Sequence, residues 1–126
     1  MKTVIILFAI LSLTFGCTKE SSDVETAAMI KYEVLTTEGD WFGEYIAETG
    51  EKICFCKPPL PSSGWTYSFE VISKPFTLHI DATSEIGLGL EDSPDVTTNI
   101  YVDNVLVASN TSNWAPGVAS ADFVVK

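Results

Sequence analysis

The chain has 126 residues, room for one ordinary domain, and 46% of them are hydrophobic, which is enough to build a packed interior. All seven basic residues are lysines, and 17 acidic residues bring the net charge to −10. Such a chain lacks the basic surface that nucleic acids and anionic lipids require, so the composition excludes nucleic-acid binding and electrostatic adhesion to a membrane.

The N-terminus has the pattern of a bacterial signal peptide. Lys2 supplies a positive charge at the start, and residues 4–15 form an apolar run that is too short to span a bilayer. The run ends at Gly16-Cys17, which resembles the lipobox of lipoprotein precursors, although the two residues before it are atypical. We expect residues 1–16 to be removed and a lipid on Cys17 to anchor the exported chain, at the periplasmic face or in the outer membrane of a bacterial envelope.

The alternative is an ordinary secretory signal followed by an incidental cysteine. That interpretation needs a small-x-small cleavage site, and none lies near the end of the apolar run. Residues 18–26 are polar and acidic and contain no aromatic residue, so the segment 17–28 is predicted to be a flexible tether. The folded domain is then predicted over residues 29–126.

After the tether, apolar and polar residues alternate with a period of two, which indicates strands with one buried and one solvated face. Phe69 and Ile80 lie in the middle of the two clearest strands and are predicted core residues. The sequence therefore predicts an all-β domain of seven to nine short antiparallel strands, in a sandwich or a small barrel. The alternating segments are residues 30–34, 65–71, 76–82 and 119–125.

Turn residues lie between the predicted strands. Thr49-Gly50 and Asp103-Asn104 are each expected to close a hairpin as a two-residue loop, since these residue types accept positive φ. Segment 57–64 contains three prolines, which cannot donate hydrogen bonds to a neighbouring strand. This segment is therefore predicted to cross from one sheet edge to another.

The chain has one histidine, His79, which is predicted on the solvated face of its strand, two residues before Asp81. The two side chains can touch there, and the histidine can titrate near neutral pH. An ordinary solvated pair is expected rather than a catalytic one, because no nucleophile elbow, phosphate loop or paired-histidine spacing accompanies it. The sequence predicts no catalytic residue and a protein that is not an enzyme.

Cys54 and Cys56 project to the same side of one predicted strand because they are two residues apart. Three interpretations compete: two thiols packed like small hydrophobic residues, a strained or partner-linked disulfide, and a two-thiolate site for a soft metal such as Cu(I), with His79 as a further binding residue. An intramolecular disulfide is disfavoured, since Cα atoms at these positions of an extended strand lie roughly 6.5 Å apart or more.

A two-residue turn at Thr49-Gly50 would place Cys54 opposite Tyr45, on a face that carries aromatic surface. This neighbourhood favours packing, so both thiols are expected to be reduced, slow to react and free of metal. No resident cofactor is expected. The acidic segment 91–95 offers oxygen atoms that suit Ca²⁺, but it lacks the regular spacing of a calcium loop, and a solvated turn is expected there.

Four segments in order resemble the extracytoplasmic domain of the mycobacterial membrane protein small (MmpS) family: residues 30–34, 61–69, 100–107 and 118–120. The resemblance implies an immunoglobulin-like β-sandwich that assists a large membrane transporter. Several features depart from the family. Its Pro-Trp-Ser segment is spread over residues 61–65, Asp103-Asn104 replaces its Asp-Gly turn, and the expected anchor is a lipid rather than a transmembrane helix. Ala121 replaces its closing cysteine and the partner cysteine is absent, so the family's disulfide is missing.

Two functions remain open from the sequence. The first is a lipid-anchored, non-enzymatic accessory or interaction module that binds an envelope protein, such as a transporter. The second is a ligand or Cu(I) carrier that uses Cys54 and Cys56. The sequence gives no reason to expect a fixed oligomer.

Overall fold

The computed structural model describes residues 25–85, 94–112 and 117–126. The predicted signal peptide, Cys17 and most of the predicted tether lie outside these residues. The described residues form eight strands and no helix, so they contain no helix that is long and apolar enough to cross a membrane. The strands are β1 (Ala28–Thr36), β2 (Trp41–Ile46), β3 (Lys52–Phe55), β4 (Trp65–Val71), β5 (Phe76–Ser84), β6 (Val96–Val102), β7 (Val105–Ser112) and β8 (Ala119–Val125).

The strands form two four-stranded antiparallel sheets that pack face to face. The first sheet has the order β4-β1-β6-β7, and the second has the order β3-β2-β5-β8. The predicted all-β sandwich of seven to nine short strands is therefore confirmed, with four strands in each layer. The chain crosses between the layers at every connection except the β2–β3 and β6–β7 hairpins.

The period-two alternation of the sequence matches the burial of the strands. In β1 the apolar side chains that face the second sheet are fully buried, whereas Lys31 and Glu33 between them are partly exposed. Phe69 and Ile80 are both buried, as predicted, with 8% and 0% of their surface exposed. The largest fully buried side chains are Trp41, Tyr32, Ile30, Leu78, Ile80, Ile100, Val34, Val96 and Thr98.

Aromatic side chains fill the part of the core near β3 and β4. The Trp65 ring lies 5.2 Å from the Trp41 ring and 5.5 Å from the Phe55 ring, measured between centroids, so these contacts join the two sheets. Tyr32 also joins them, because its hydroxyl donates a hydrogen bond of 2.8 Å to the Ile46 carbonyl. Ring pairs at such separations add to the stabilisation that burial of their apolar area provides.

Two of the three predicted connections are confirmed. Asp103 and Asn104 close the β6–β7 hairpin as a two-residue turn, with φ of 50° and 64°. Segment 57–64 leaves β3 at the edge of the second sheet and reaches β4 at the edge of the first.

The predicted two-residue turn at Thr49-Gly50 is wrong. Ala47 donates its N–H to the Glu51 carbonyl, and Ile46 pairs with Lys52, so three residues form the loop. Gly50 has a φ of 81°, which suits the last position of a three-residue hairpin loop. The extra loop residue shifts β3 by one position relative to β2, and a shift of one residue exchanges the two faces of a strand.

Candidate functional site

The solvent-facing side of the second sheet brings together polar side chains from four strands. Alternation along β5 places His79 and Asp81 on this side, between the buried residues Leu78, Ile80 and Ala82. Strand pairing places Glu44 of β2 beside Asp81 and Asp122 of β8 beside His79. We call Glu44, His79, Asp81 and Asp122 the outer-face cluster.

His79 is held between two carboxylates. Its Nδ1 lies 2.6 Å from Oδ1 of Asp122, and its Nε2 lies 3.3 Å from Oδ2 of Asp81. The predicted contact between His79 and Asp81 is therefore confirmed, and Asp122 is a further partner. The first distance corresponds to a strong charge-assisted hydrogen bond, and the second to a loose one.

Backbone and side-chain contacts fix the two remaining carboxylates. The Glu44 N–H donates a hydrogen bond of 3.0 Å to Oδ1 of Asp81, which leaves the other oxygen of Asp81 turned towards His79. The Glu44 side chain accepts a hydrogen bond of 2.5 Å from Nζ of Lys52 on β3. Three potential ligand atoms lie within 4.8 Å of one another: a carboxylate oxygen of Glu44, a carboxylate oxygen of Asp81 and a ring nitrogen of His79.

Contacts in and around the outer-face cluster shift the pKa values of His79 and Glu44. Partial burial lowers the pKa of His79, but the hydrogen bonds and negative charges of Asp122 and Asp81 outweigh this effect, so the pKa is raised above its usual value. The hydrogen bond and positive charge of Lys52 lower the pKa of Glu44. The cluster therefore favours a positive charge at the imidazole and negative charges around it.

Gly43 allows the close approach of β2 and β5 beneath this cluster. A Cβ atom at Gly43 would lie 2.1 Å from the Asp81 carbonyl oxygen and 2.9 Å from the Ala82 Cα. Both are backbone atoms that cannot move aside without displacing the strand. Glycine is thus required for Glu44 to reach Asp81 through its N–H.

The prediction that Cys54 and Cys56 are reduced, buried thiols is wrong. Cys54 and Cys56 are joined in a disulfide, and both residues are exposed. Their Cα atoms lie 5.3 Å apart, closer than in an extended strand, because β3 ends at Phe55, between the two cysteines. Disulfide sulfurs do not supply the two thiolates that a Cu(I) site requires.

The shift of β3 explains the exposure of the cysteines. Cys54 lies opposite Glu44 rather than Tyr45, and Phe55 lies opposite Gly43. Phe55 therefore packs into the aromatic part of the core, while Cys54 lies on the solvent-facing side. Of the three residues that the sequence proposed for binding, Cys54 and His79 lie on this side of the second sheet, and the disulfide joins Cys56 to Cys54.

The acidic segment 91–95 can be placed only in part, because residues 91–93 lie outside the described residues. Two hydrogen bonds join Asp95 to Thr37. The Asp95 N–H donates to the Thr37 hydroxyl at 3.0 Å, and the Thr37 N–H donates to the Asp95 carbonyl at 3.1 Å. These bonds join the β1–β2 connection to the start of β6.

An apolar groove of about 500 Å³ lies at one end of the sandwich. We call this the Ala28 end, because β1 begins there. Hydrogen bonds fix the chain at this end: Lys74 donates to the Thr26 carbonyl at 3.1 Å, and the Met29 N–H donates to the Asp103 side chain at 2.9 Å. The groove is lined by Ala28, Lys74, Val102, Asp103, Phe123, Val124, Val125 and Lys126.

Sequence reasoning missed Glu44 and Asp122 as neighbours of His79. Alternation places each of them on the polar side of its own strand, and that signal was available. The pairing of β5 with β2 and β8, which brings them to His79, is decided by the tertiary fold.

Comparison with protein-family models and with curated proteins finds no match for this chain.

Proposed function

We propose that this chain is a lipid-anchored, non-enzymatic interaction module of a bacterial envelope, attached through Cys17. Its partner is a membrane protein that its Ala28 end contacts. A transporter is the partner class that the resemblance to the MmpS family suggests. The proposal combines the targeting pattern of the first seventeen residues with one feature of the folded domain, the location of its exposed apolar side chains.

Five of the eight exposed large hydrophobic side chains of the described residues lie at the Ala28 end of the sandwich, on both sheets, and this observation carries the proposal. Val105 and Leu106, which follow the β6–β7 turn, are 62% and 51% exposed, and Ile72 after β4 is 59% exposed. Met29 and Val124 are 42% and 44% exposed. Exposed apolar side chains that concentrate at one end of a domain indicate a candidate interaction surface, whereas singly scattered ones are ordinary.

The position of this surface fits a membrane-attached partner. Residue 25, the first that the structure describes, precedes β1 at the Ala28 end, and ten residues (18–27) lie between Cys17 and Ala28. The eleven Cα–Cα steps from Cys17 to Ala28 span at most about 40 Å when the chain is fully extended. A lipid on Cys17 would therefore keep the Ala28 end near the bilayer, where the extracytoplasmic part of a membrane protein is accessible.

Affinity purification from detergent-solubilised envelopes tests the proposal. The full chain should retain a stoichiometric membrane protein, and Leu106→Lys should reduce its recovery by about tenfold or more, because a charge would be buried in the contact. Leu35→Lys is the matched control: Leu35 is 41% exposed, near the opposite end of β1, and its substitution should leave recovery unchanged. Equal recovery with both variants would refute a contact through the Ala28 end.

A further inference from the structure

We propose that Glu44, His79 and Asp81 form a binding site for a divalent transition-metal ion of the Zn²⁺ class. This inference concerns the solvent-facing side of the second sheet and is independent of the proposed contact at the Ala28 end. The ligand atoms are Nε2 of His79, Oδ2 of Asp81 and one carboxylate oxygen of Glu44.

The donor set selects the class of ion. One imidazole nitrogen and two carboxylate oxygens suit Zn²⁺ and its neighbours, whereas Ca²⁺ and Mg²⁺ prefer oxygen alone. Atoms that share one such ion lie about 2.1 Å from it and therefore roughly 3.0–3.4 Å from one another. The three groups already lie within 4.8 Å of one another, so small rotations of the side chains bring them to this spacing.

Two contacts already orient the ligands as a metal site requires. Asp122 accepts a hydrogen bond from Nδ1 of His79 at 2.6 Å, which directs Nε2 towards Asp81. A carboxylate on the distal nitrogen is the usual second partner of a metal-binding histidine. The Glu44 N–H holds Oδ1 of Asp81 at 3.0 Å, so that Oδ2 faces the imidazole.

The contact that the metal would replace is the loosest in the cluster. Nε2 of His79 and Oδ2 of Asp81 are 3.3 Å apart, and three carboxylates surround one imidazole. Lys52 is the positive side chain in contact with this group, through one oxygen of Glu44, and its own side chain is 61% exposed. An ion at Nε2 would displace the proton there to solvent, take over its role in offsetting the negative charge, and leave the bond between Asp122 and Nδ1 in place.

The site is open to solvent on one side. The side chains of His79 and Asp81 retain 20% and 26% of their surface, and that of Glu44 retains 32%. Three protein ligands on a sheet surface leave coordination positions for water or for an external ligand.

The single histidine gives a direct measurement. The full chain, with an affinity tag that lacks histidine, is labelled with ¹⁵N, solubilised in detergent and titrated with ZnCl₂. One equivalent of Zn²⁺ should shift the Nε2 resonance of His79 to the metal-bound range while Nδ1 keeps its proton, and excess chelator should reverse the change. Unchanged imidazole resonances at several equivalents of Zn²⁺ would overturn the proposal.

Carboxylate variants distinguish this site from nonspecific binding to an acidic protein. Asp81→Asn and Glu44→Gln should each weaken Zn²⁺ binding by more than about tenfold, and Asp122→Asn by about tenfold through the orientation of the imidazole. Glu70→Gln, which alters an exposed carboxylate on β4 of the other sheet, is the control and should bind as the wild type does. Binding that is equal in all four variants would refute the site.

Discussion

Two carboxylate contacts define the environment of His79, and the sequence alone indicates one of them. Its neighbour along the strand, Asp81, was predicted from spacing alone, and the contact of 3.3 Å confirms it. Asp122 makes the shorter contact, although it is 43 residues away in the sequence. Strand pairing, and not sequence proximity, therefore decides which group controls the proton of this histidine.

Tyr67 and Glu48 form a second pair that titration can examine. The Tyr67 hydroxyl donates a hydrogen bond to the Glu48 carboxylate, and this bond lowers the pKa of Glu48 below 4.5 and raises that of Tyr67 to about 12. Because the folded-state pKa of Glu48 is lowered, its contribution to stability is present above pH 4.5 and is lost as the pH falls through the folded-state value.

We expect the Tyr67→Phe variant to return the pKa of Glu48 towards 4.5 and to remove this acid-dependent part of the stability. Carboxyl chemical shifts measured against pH report the pKa, and urea unfolding at several pH values reports the stability. Tyr101→Phe, which removes a hydrogen bond to Glu33, is the control and should leave Glu48 unchanged. A Glu48 pKa of 4.5 in the wild type would contradict the prediction.

At the scale of single elements, alternation along each strand determines which side chains stabilise the fold. Phe69 on β4 is 8% exposed and contacts the rings of Tyr32, Tyr67 and Phe76. Thr77 on β5 of the other sheet is exposed, because its side chain lies on the solvent-facing side of that sheet.

The Phe69→Ala variant should therefore lower the free energy of unfolding by about 3–5 kcal/mol, since it removes a buried ring and leaves a cavity. Thr77→Ala should change it by less than about 0.5 kcal/mol. Chemical denaturation monitored by tryptophan fluorescence measures both values. Equal losses in the two variants would show that the buried and solvated faces are assigned wrongly.

Gly43 provides a test of the contact between β2 and β5. The Gly43→Ala variant should destabilise the domain by about 1–3 kcal/mol or more, because the added methyl group overlaps backbone atoms of Asp81 and Ala82. It should also weaken the hydrogen bond from the Glu44 N–H to Asp81, which faster amide exchange at Glu44 would report.

Ser120→Ala, a small change on the exposed side of β8, serves as the control for Gly43→Ala. It should affect neither the stability nor the exchange rate at Glu44. A Gly43→Ala variant as stable as the wild type would mean that the two strands are farther apart than in this structure.

At the scale of the whole molecule, both termini of the described domain lie at the Ala28 end, where Lys126 and Ala28 line the same groove. The opposite end carries the β1–β2 connection and segment 57–64, which link the two sheets. The sandwich is therefore directional: the N-terminal segment enters at the Ala28 end, whereas the β1–β2 connection and segment 57–64 lie at the opposite end.

The anchor proposal predicts the behaviour of the Cys17→Ser variant. Without a lipidated cysteine, the mature domain should appear in the soluble fraction, or the precursor should remain uncleaved. Fractionation of cells followed by mass measurement of the N-terminus distinguishes these products. A Cys17→Ser protein that is processed normally and still pellets with the membranes would refute lipid anchoring through this residue.

The sequence by itself determined most of the strands, the core residues Phe69 and Ile80 and the β6–β7 turn, because these depend on local alternation and on residues that tolerate positive φ. Only the tertiary structure decided the register of β3 and the pairing of strands that no hairpin joins. The three-residue loop after β2 moved β3 by one position, which turned Cys54 to solvent and Phe55 into the core. Glu44, His79 and Asp122 meet because non-local pairing brings β2, β5 and β8 together, and local pattern carries no information about which strands become neighbours.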